Sequence, residues 1–183
     1  MKLKLLILIL ALQSAWLLGT VFVQERALRE GAVILLETRP ADPRDLLRGD
    51  YVILNYKIST IAMNLFSPAL TNTLPYGETV WVALAPRGEF HEIVRANLER
   101  FDPAAGEVLV RAKSKWWRDG RSGRAGEITV EYGLERYFVR EGTGNPRGKL
   151  TVQAVVPASG RASIKQVFLD GKPYAEAMKA ASR

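Results

Sequence analysis

An uncharged run of 19 residues, from Leu5 to Val23, constrains this chain more than any other feature. A helix of about 20 apolar residues spans the hydrocarbon core of a bilayer. The twelve Leu, Ile, Phe and Val residues of the run favour insertion by about 4 to 7 kcal/mol, more than its few polar side chains oppose. A cleaved signal peptide is the alternative, but the run is long for such a segment and no Ala-x-Ala site follows it cleanly. We therefore predict a retained transmembrane helix in residues 1–23.

Positive charge flanks the apolar run on both sides. Lys2 and Lys4 precede it and Arg26 and Arg29 follow it, so the bias in Lys and Arg that usually sets topology is nearly balanced. The basic start, which is typical of a signal sequence, favours a cytoplasmic N-terminus. We expect residues 24–31 to form a short polar helix or linker, and residues 32–183 to form a β-rich domain outside the cytoplasm.

Small residues recur every four positions within the run, at Ala11, Ala15 and Gly19. On a helix they fall within about 80° of one another, and such a stripe lets a second helix approach closely in lipid. Gln13 and Thr20 lie on the opposite side, where contact with lipid is unfavourable for polar groups. Docking in a groove of a multi-spanning membrane protein would cover both sides. The alternative is a simple tether with incidental small residues.

The chain has no cysteine and a single histidine, His91. This excludes disulfides, thiolate-ligated zinc and multi-histidine metal sites, and it leaves little for Ser-His or Cys-His catalysis. We predict no cofactor and no metal site.

The net charge of +7 is concentrated in one segment. From Gln24 onward the chain has 24 basic and 19 acidic residues, and residues 111–124 alone carry a net +5. A local patch indicates one contact surface and argues against a nucleic-acid-binding protein. Since Trp prefers membrane interfaces and basic residues attract anionic head groups, we predict a membrane-surface loop comprising Lys113, Lys115, Trp116, Trp117, Arg118, Arg121 and Arg124. The alternative places Trp116 in the core and the charges on a solvated hairpin tip.

About eight short segments, apolar or alternating and separated by turn residues, predict a mainly β domain, either a barrel or a sandwich. Residues 89–100 and 108–117 are predicted to form a long hairpin across a turn at 102–106. In its second arm, the inward face would comprise Val108, Val110, Ala112 and Trp116. Residues 174–181 are predicted to form a short C-terminal helix.

Tyr51 to Tyr56 is the most strand-like run in the chain, and a Gly-Asp turn leads into it. Alternation along a strand places Val52, Leu54 and Tyr56 on one face, and Tyr51 and Ile53 on the other. Because both faces carry large apolar groups, we expect this strand to be covered on both sides.

Gly49, Asp50, Tyr51, Leu54 and Tyr56 resemble the signature of the GDYXXLXY family, membrane-anchored bacterial proteins without an assigned activity. In the turn, Gly49 permits a positive φ and the Asp50 carboxylate can accept backbone N–H groups. Turn residues on a rigid scaffold also bind partners, so Asp50 and Tyr51 are candidates for partner binding.

A second segment, residues 133–144, is similar to the same family at Arg136, Tyr137, Phe138, Glu141 and Gly142. Glu135 and Glu141 lie within reach of Arg136 in a tight turn and predict an ion pair, with Tyr137 and Phe138 fixing the segment to the sheet. The alternative is a binding cleft that this segment shares with Asp50.

The Gly-Asp-x-Val strand near a membrane anchor also resembles, more weakly, the type I signal peptidases, which use a serine nucleophile and a lysine base. Ala41 stands where that pattern has its serine. Lys57 and Ser59 lie two positions apart, but no oxyanion hole or desolvated lysine is indicated nearby. We expect no enzymatic activity.

The family resemblance implies a bacterial inner-membrane protein whose soluble domain is periplasmic or otherwise extracytoplasmic, with a multi-spanning membrane protein as partner. We therefore expect a non-enzymatic accessory protein whose β domain binds or caps another cell-envelope component. The alternative is a binding module in which the basic loop contacts an anionic envelope polymer or lipid head groups. The oligomeric state is left open.

Overall fold

The computed structural model describes residues 2–39, 51–70, 74–118, 126–139 and 148–181. It has two α-helices, α1 at Lys2–Glu30 and α2 at Tyr174–Ala181. Short 3₁₀ turns occupy Lys57–Ser59 and Met63–Leu65. The strands are β1 Ala32–Glu37, β2 Tyr51–Ile53, β3 Thr60–Ala62, β4 Thr79–Arg87, β5 Phe90–Asn97, β6 Val108–Arg118, β7 Glu127–Glu131, β8 Arg136–Phe138, β9 Leu150–Val156, β10 Ser163–Leu169 and β11 Lys172–Pro173.

The described strands form antiparallel sheets that together make a near-barrel. One sheet has the order β1-β9-β10-β11, another β3-β7-β6-β4-β5, and β2 pairs with β8 alone. Contacts between the larger sheets include two hydrogen bonds: the Leu35 N–H donates to His91 Nδ1 at 3.2 Å, and the Arg111 N–H, in β6, donates to the Gly160 carbonyl oxygen, between β9 and β10, at 2.8 Å. The predicted mainly β domain is confirmed.

The core lies between the two larger sheets, and period-two alternation explains which residues reach it. In β9, alternation in the sequence predicts that Leu150, Val152, Ala154 and Val156 point inward, and all four are less than a tenth exposed. Burying one aliphatic side chain of this kind stabilises the fold by about 1.5 to 3 kcal/mol. The buried core includes Ile34, Leu36, Val80, Val82, Leu84, Val110, Ile128, Val130 and Val152.

The predicted long hairpin between β5 and β6 is wrong. Both strands pair with β4, which lies between them: Val82 is opposite Ala96 of β5 and Val110 of β6. Ala83, on the other face of β4, is also buried, and a strand buried on both faces belongs in the interior of a sheet. A two-residue turn at Gly88, with φ of 66°, therefore joins β4 to β5, and residues 98–107 lead to the other edge of β4.

The helix α1 continues without a break through residues 24–30, where the sequence allowed a short helix or a linker. Two exposed ion pairs support its last turns, Arg26 with Glu30 at 2.8 Å and Arg29 with Glu25 at 2.7 Å, at a spacing that favours helix. Gly31 alone separates α1 from β1. A Cβ at this position would lie 2.5 Å from a methyl group of Val155, so the helix is connected tightly to the sheet.

In the described part of the chain, one helix, from Lys4 to Glu30, is long and apolar enough to span a membrane. Its apolar side chains are exposed, Trp16 to 74% and Leu12 to 72%, so the β domain does not cover them. The predicted C-terminal helix is confirmed as α2.

Candidate partner-binding site

The two segments that carry the family resemblance pair with each other. In the β2–β8 ribbon, Tyr51 is opposite Phe138, Val52 is opposite Tyr137, and Ile53 is opposite Arg136. Alternation gives this ribbon an inner face and an outer face. The candidate residues Gly49, Asp50, Glu141 and Gly142 lie outside the described residues.

The inner face belongs to the core. Val52, Leu54 and Tyr56 are each no more than 1% exposed. The Tyr56 hydroxyl donates to the Leu134 carbonyl oxygen at 2.7 Å, and the Leu54 N–H donates to the Glu135 carbonyl oxygen at 2.9 Å. Leu54 and Tyr56 therefore fasten the two segments together, which is a structural role.

Glu135 closes the turn that leads into β8. Its carboxylate accepts the Tyr132 N–H at 2.6 Å. Burial raises the pKa of Glu135 above its usual value, although backbone hydrogen bonds from the turn oppose the shift. Burial and the nearby Glu135 charge also raise the pKa values of Tyr56 and Tyr132. The sequence indicated Glu135 only as an acidic neighbour of Arg136, and its role in closing this turn was not predicted.

The outer face of the ribbon is partly open to solvent, so the prediction that β2 is covered on both sides is wrong. Tyr51 and Ile53 are half-buried, and Phe138 is 72% exposed. The Tyr51 and Phe138 ring centroids are 6.0 Å apart with a 60° tilt, and the Arg136 guanidinium lies 5.6 Å from the Tyr51 ring centroid. We call Tyr51, Ile53, Arg136 and Phe138 the ribbon face.

The residues of the second segment divide between the two faces of the ribbon. Arg136 stacks on Tyr51, because the register places it diagonally across the ribbon, and its expected ion pair with Glu141 lies outside the described residues. Phe138 points outward. Only Tyr137 packs inward, edge-on to Tyr174 with ring centroids 5.5 Å apart. The two segments do share one surface, as the cleft hypothesis expected, but Asp50 lies outside the described residues.

The basic segment is only partly described. Lys113 donates to the Gly77 carbonyl oxygen at 2.9 Å and to Thr79 Oγ1 at 3.0 Å, and Lys115 pairs with Glu131, which raises the pKa of the lysine. Trp117 and Arg118 end β6. Arg121 and Arg124 lie outside the described residues.

A register shift in β6 overturns the predicted inward position of Trp116. Ser114 is opposite Val130, whereas Trp116 is opposite Thr129, so one extra residue reverses the alternation. Ser114 is buried and accepts the Glu78 N–H at 2.9 Å. Trp116 is 52% exposed, and its placement in the core is therefore wrong.

The candidate packing residues of α1, namely Ala11, Gln13, Ala15, Gly19 and Thr20, lie on the exposed surface of the helix. A Cβ at Gly19 would have no atom within 4 Å. The Thr20 hydroxyl donates to the Leu17 carbonyl oxygen at 2.8 Å, so its polar group is satisfied within the helix. Docking through this surface stays a prediction.

Lys57 differs from the lysine base of a signal peptidase. Its ammonium pairs with Glu37, and its side chain is 57% exposed. Lys149 pairs with the same carboxylate at 2.8 Å, and the two lysines lower the pKa of Glu37.

In the described ranges, no group of three or more acidic or histidine side chains could hold a metal ion.

No match to the chain was found among curated proteins or solved structures. The family model described as GDYXXLXY protein matches residues 13–167, which is most of α1 and nearly all of the β domain. This span includes both the Tyr51–Tyr56 run and the segment that pairs with it. The chain belongs to the GDYXXLXY family.

Proposed function

We propose that this protein is a non-enzymatic accessory, anchored in the membrane by α1, whose β domain binds or caps another cell-envelope component through the ribbon face. A multi-spanning membrane protein is the proposed partner. The observation that carries this proposal is that Phe138, in the segment that pairs with the motif strand, is 72% exposed.

The division of the ribbon into two faces supports this role. The inner residues Leu54 and Tyr56 are accounted for by burial and hydrogen bonding. Phe138 and Arg136 contribute little to the core, yet they form with Tyr51 a continuous surface of two aromatic rings and one guanidinium. Aromatic residues and arginine are enriched in the parts of protein interfaces that dominate the binding energy.

The helix α1 supports membrane anchoring by its length and composition. We propose that the bacterial inner membrane holds this helix with its N-terminus in the cytoplasm, which places the β domain in the periplasm or elsewhere outside the cytoplasm. Accessibility of an introduced cysteine at Lys172 to an impermeant thiol reagent tests this orientation in intact cells. Labelling only after lysis would contradict it.

The surroundings of Lys57 support a non-enzymatic role. A catalytic lysine base is normally desolvated so that its pKa falls toward neutrality, whereas Lys57 is more than half exposed and paired with a carboxylate.

The test is crosslinking in intact cells, followed by mild-detergent extraction and identification of the proteins that copurify with the full-length chain. Phe138→Ala should reduce capture of the partner at unchanged abundance of the chain. Phe101→Ala is the matched control, since Arg95 lies 4.6 Å from the Phe101 ring centroid in another part of the surface. Equal capture by the wild type and Phe138→Ala would refute the proposal.

Binding of an anionic envelope polymer or lipid head groups by the basic segment is the second candidate. It is favoured by the exposure of Trp116 beside Lys115. Such binding weakens steeply with salt, whereas capture of a partner by the apolar ribbon face should persist. Retention of the captured material across a salt series therefore separates the two candidates.

A further inference from the structure

Two grooves, each of about 800 Å³, lie beside the second half of α1 where the helix passes the β domain. The helix side of the second groove extends from Ala15 and Trp16 to Leu28. Its other side is formed by the segment between β9 and β10, with Pro157, Ser159 and Arg161, and by Arg111 of β6. We call this second groove the helix groove.

The helix groove contains two arginines beside an apolar helix surface. Arg111 and Arg161 line the same space as Trp16, Gly19 and Val23. Within the described residues, neither guanidinium forms an ion pair, and no acidic side chain lines this groove. The wall is therefore apolar at one side and cationic at the other.

The backbone fixes the two arginines close together. The Arg111 N–H donates to the Gly160 carbonyl oxygen at 2.8 Å, and Arg161 follows Gly160 directly. Gly160 has a φ of 76° and lies against Trp81 and the backbone of Leu109 and Arg111, so the turn has little room to move. The two side chains therefore leave adjoining points of the same surface.

A guanidinium held beside a membrane-spanning helix is stabilised by a nearby anion, because a charge without a counter-ion is costly at an apolar surface. Phosphate suits the planar donor fork of arginine, and a phospholipid combines a phosphate with an apolar chain. We propose that the helix groove binds an anionic phospholipid, with its phosphate between Arg111 and Arg161 and an acyl chain along Trp16, Gly19 and Val23. This inference rests on the proposed membrane anchoring, but it does not depend on the ribbon face or its partner.

The groove is distinct from the basic segment of β6. Lys113 and Lys115 are engaged with the Gly77 carbonyl oxygen and Glu131 respectively, and neither lines the helix groove. The chain would therefore bind a lipid beside its anchor through Arg111 and Arg161. Neither arginine has an acidic partner in the described ranges.

Fluorescence quenching of Trp16 tests the proposal in the full-length chain. The chain is incorporated into vesicles of phosphatidylcholine and phosphatidylglycerol in which one lipid at a time is brominated, and the signal of Trp16→Phe is subtracted to isolate Trp16. Brominated phosphatidylglycerol should quench Trp16 more strongly than its bulk fraction predicts. Replacing Arg111 and Arg161 by Gln should lower this preference by about fivefold for each arginine, the usual contribution of a basic residue at an anionic membrane surface.

The matched control is the double variant Arg87→Gln, Lys172→Gln, which removes the same charge from residues that line neither groove. Arg161→Gln alone serves where the double groove variant fails to fold, since Arg161 is exposed. A preference that is unchanged in the groove variants, or equally reduced in the control, overturns the lipid site. Absence of quenching by either lipid in incorporated protein also overturns it, because no acyl chain would then lie against Trp16. Vesicle flotation measures anchoring separately: a chain that fails to float refutes both the anchoring and the lipid site.

Discussion

The Tyr56 hydroxyl donates a 2.7 Å hydrogen bond to the carbonyl oxygen of Leu134, 78 positions away in the sequence. Both residues are buried, so this bond joins the two family segments inside the core. Tyr56→Phe keeps the ring but leaves the carbonyl oxygen without its donor. We expect the free energy of unfolding of Tyr56→Phe to be about 1 to 3 kcal/mol lower than that of the wild type, which is the usual penalty for a buried unsatisfied group.

Urea unfolding of the full-length chain in detergent measures this change. Tyr51→Phe is the control, because Tyr51 is half-buried on the outer face of the same ribbon and should change the unfolding free energy by less than about 0.5 kcal/mol. Equal effects of the two variants would contradict a structural role specific to Tyr56.

Glu135 should make the fold more stable in mild acid than near neutrality. Burial raises its pKa in the folded chain, above the unfolded value of about 4.3. The folded state therefore binds the proton more readily, and this contribution is complete below the unfolded pKa and lost as pH rises through the folded pKa. Glu135→Gln keeps an oxygen that can accept the Tyr132 N–H and should be stabilising at pH 7 relative to the wild type. Thermal unfolding at two pH values checks this, and an equal difference at both would contradict it.

His91, in contrast to Glu135, should make the fold less stable as pH falls. Burial lowers its pKa, and its Nδ1 accepts the Leu35 N–H, which a protonated imidazole cannot do through that atom. Its contribution to stability is complete above the unfolded pKa of about 6.5 and is lost as pH falls through the lowered folded pKa.

The variant His91→Gln retains a side-chain acceptor without titrating in this range. The stability difference between the wild type and His91→Gln should therefore shift against the wild type as pH falls below about 6.5. Asp and Glu residues titrate in both proteins and cancel in the comparison. A pH-independent difference would show that the pKa of His91 is the same in the folded and the unfolded chain, which would contradict the prediction.

The small-residue surface of α1 predicts a specific contact in the membrane. Gly19→Leu should weaken copurification with the partner while membrane insertion is unchanged, since a larger side chain keeps the helices apart. Gln13→Leu should do the same if its amide donates to the partner. Recovery of the full complex after replacing residues 5–23 with polyleucine would mean that the helix is only a tether.

The sequence predicted the helices and strands of this fold better than it predicted which strands pair with each other. Alternation in β9 identified the inward residues because this signal is local, and the short helix expected at residues 174–181 is α2. The order β6-β4-β5 depends on which strand can be buried on both faces. The sequence of a single strand does not reveal which other strands pair with its two edges. The pairing of Val52 with Tyr137 joins segments more than 80 residues apart, and short strands of three residues carry too little alternation to predict it.

The candidate site was predictable in its residues and not in its geometry. The family resemblance selected Tyr51, Arg136 and Phe138, but only the ribbon register reveals that they stack on one exposed face. Ser114 is a polar residue on the face of β6 that alternation predicts to point inward, and it was a sign of the register shift next to it. The regular alternation of Val108, Val110 and Ala112 concealed this shift.

Gly31 is the single residue between α1 and β1, and Val155 and Val156 of the sheet lie close against it. Because one residue advances an α-helix by about 100°, insertion of a single alanine after Glu30 would point the ribbon face in a different direction around the membrane normal. With α1 anchored in the membrane as proposed, the direction that Phe138 faces in the membrane plane would therefore be set by the length of α1. A partner held in the same membrane would meet this protein from one side only, and the number of residues between the apolar run and Gly31 determines which side that is.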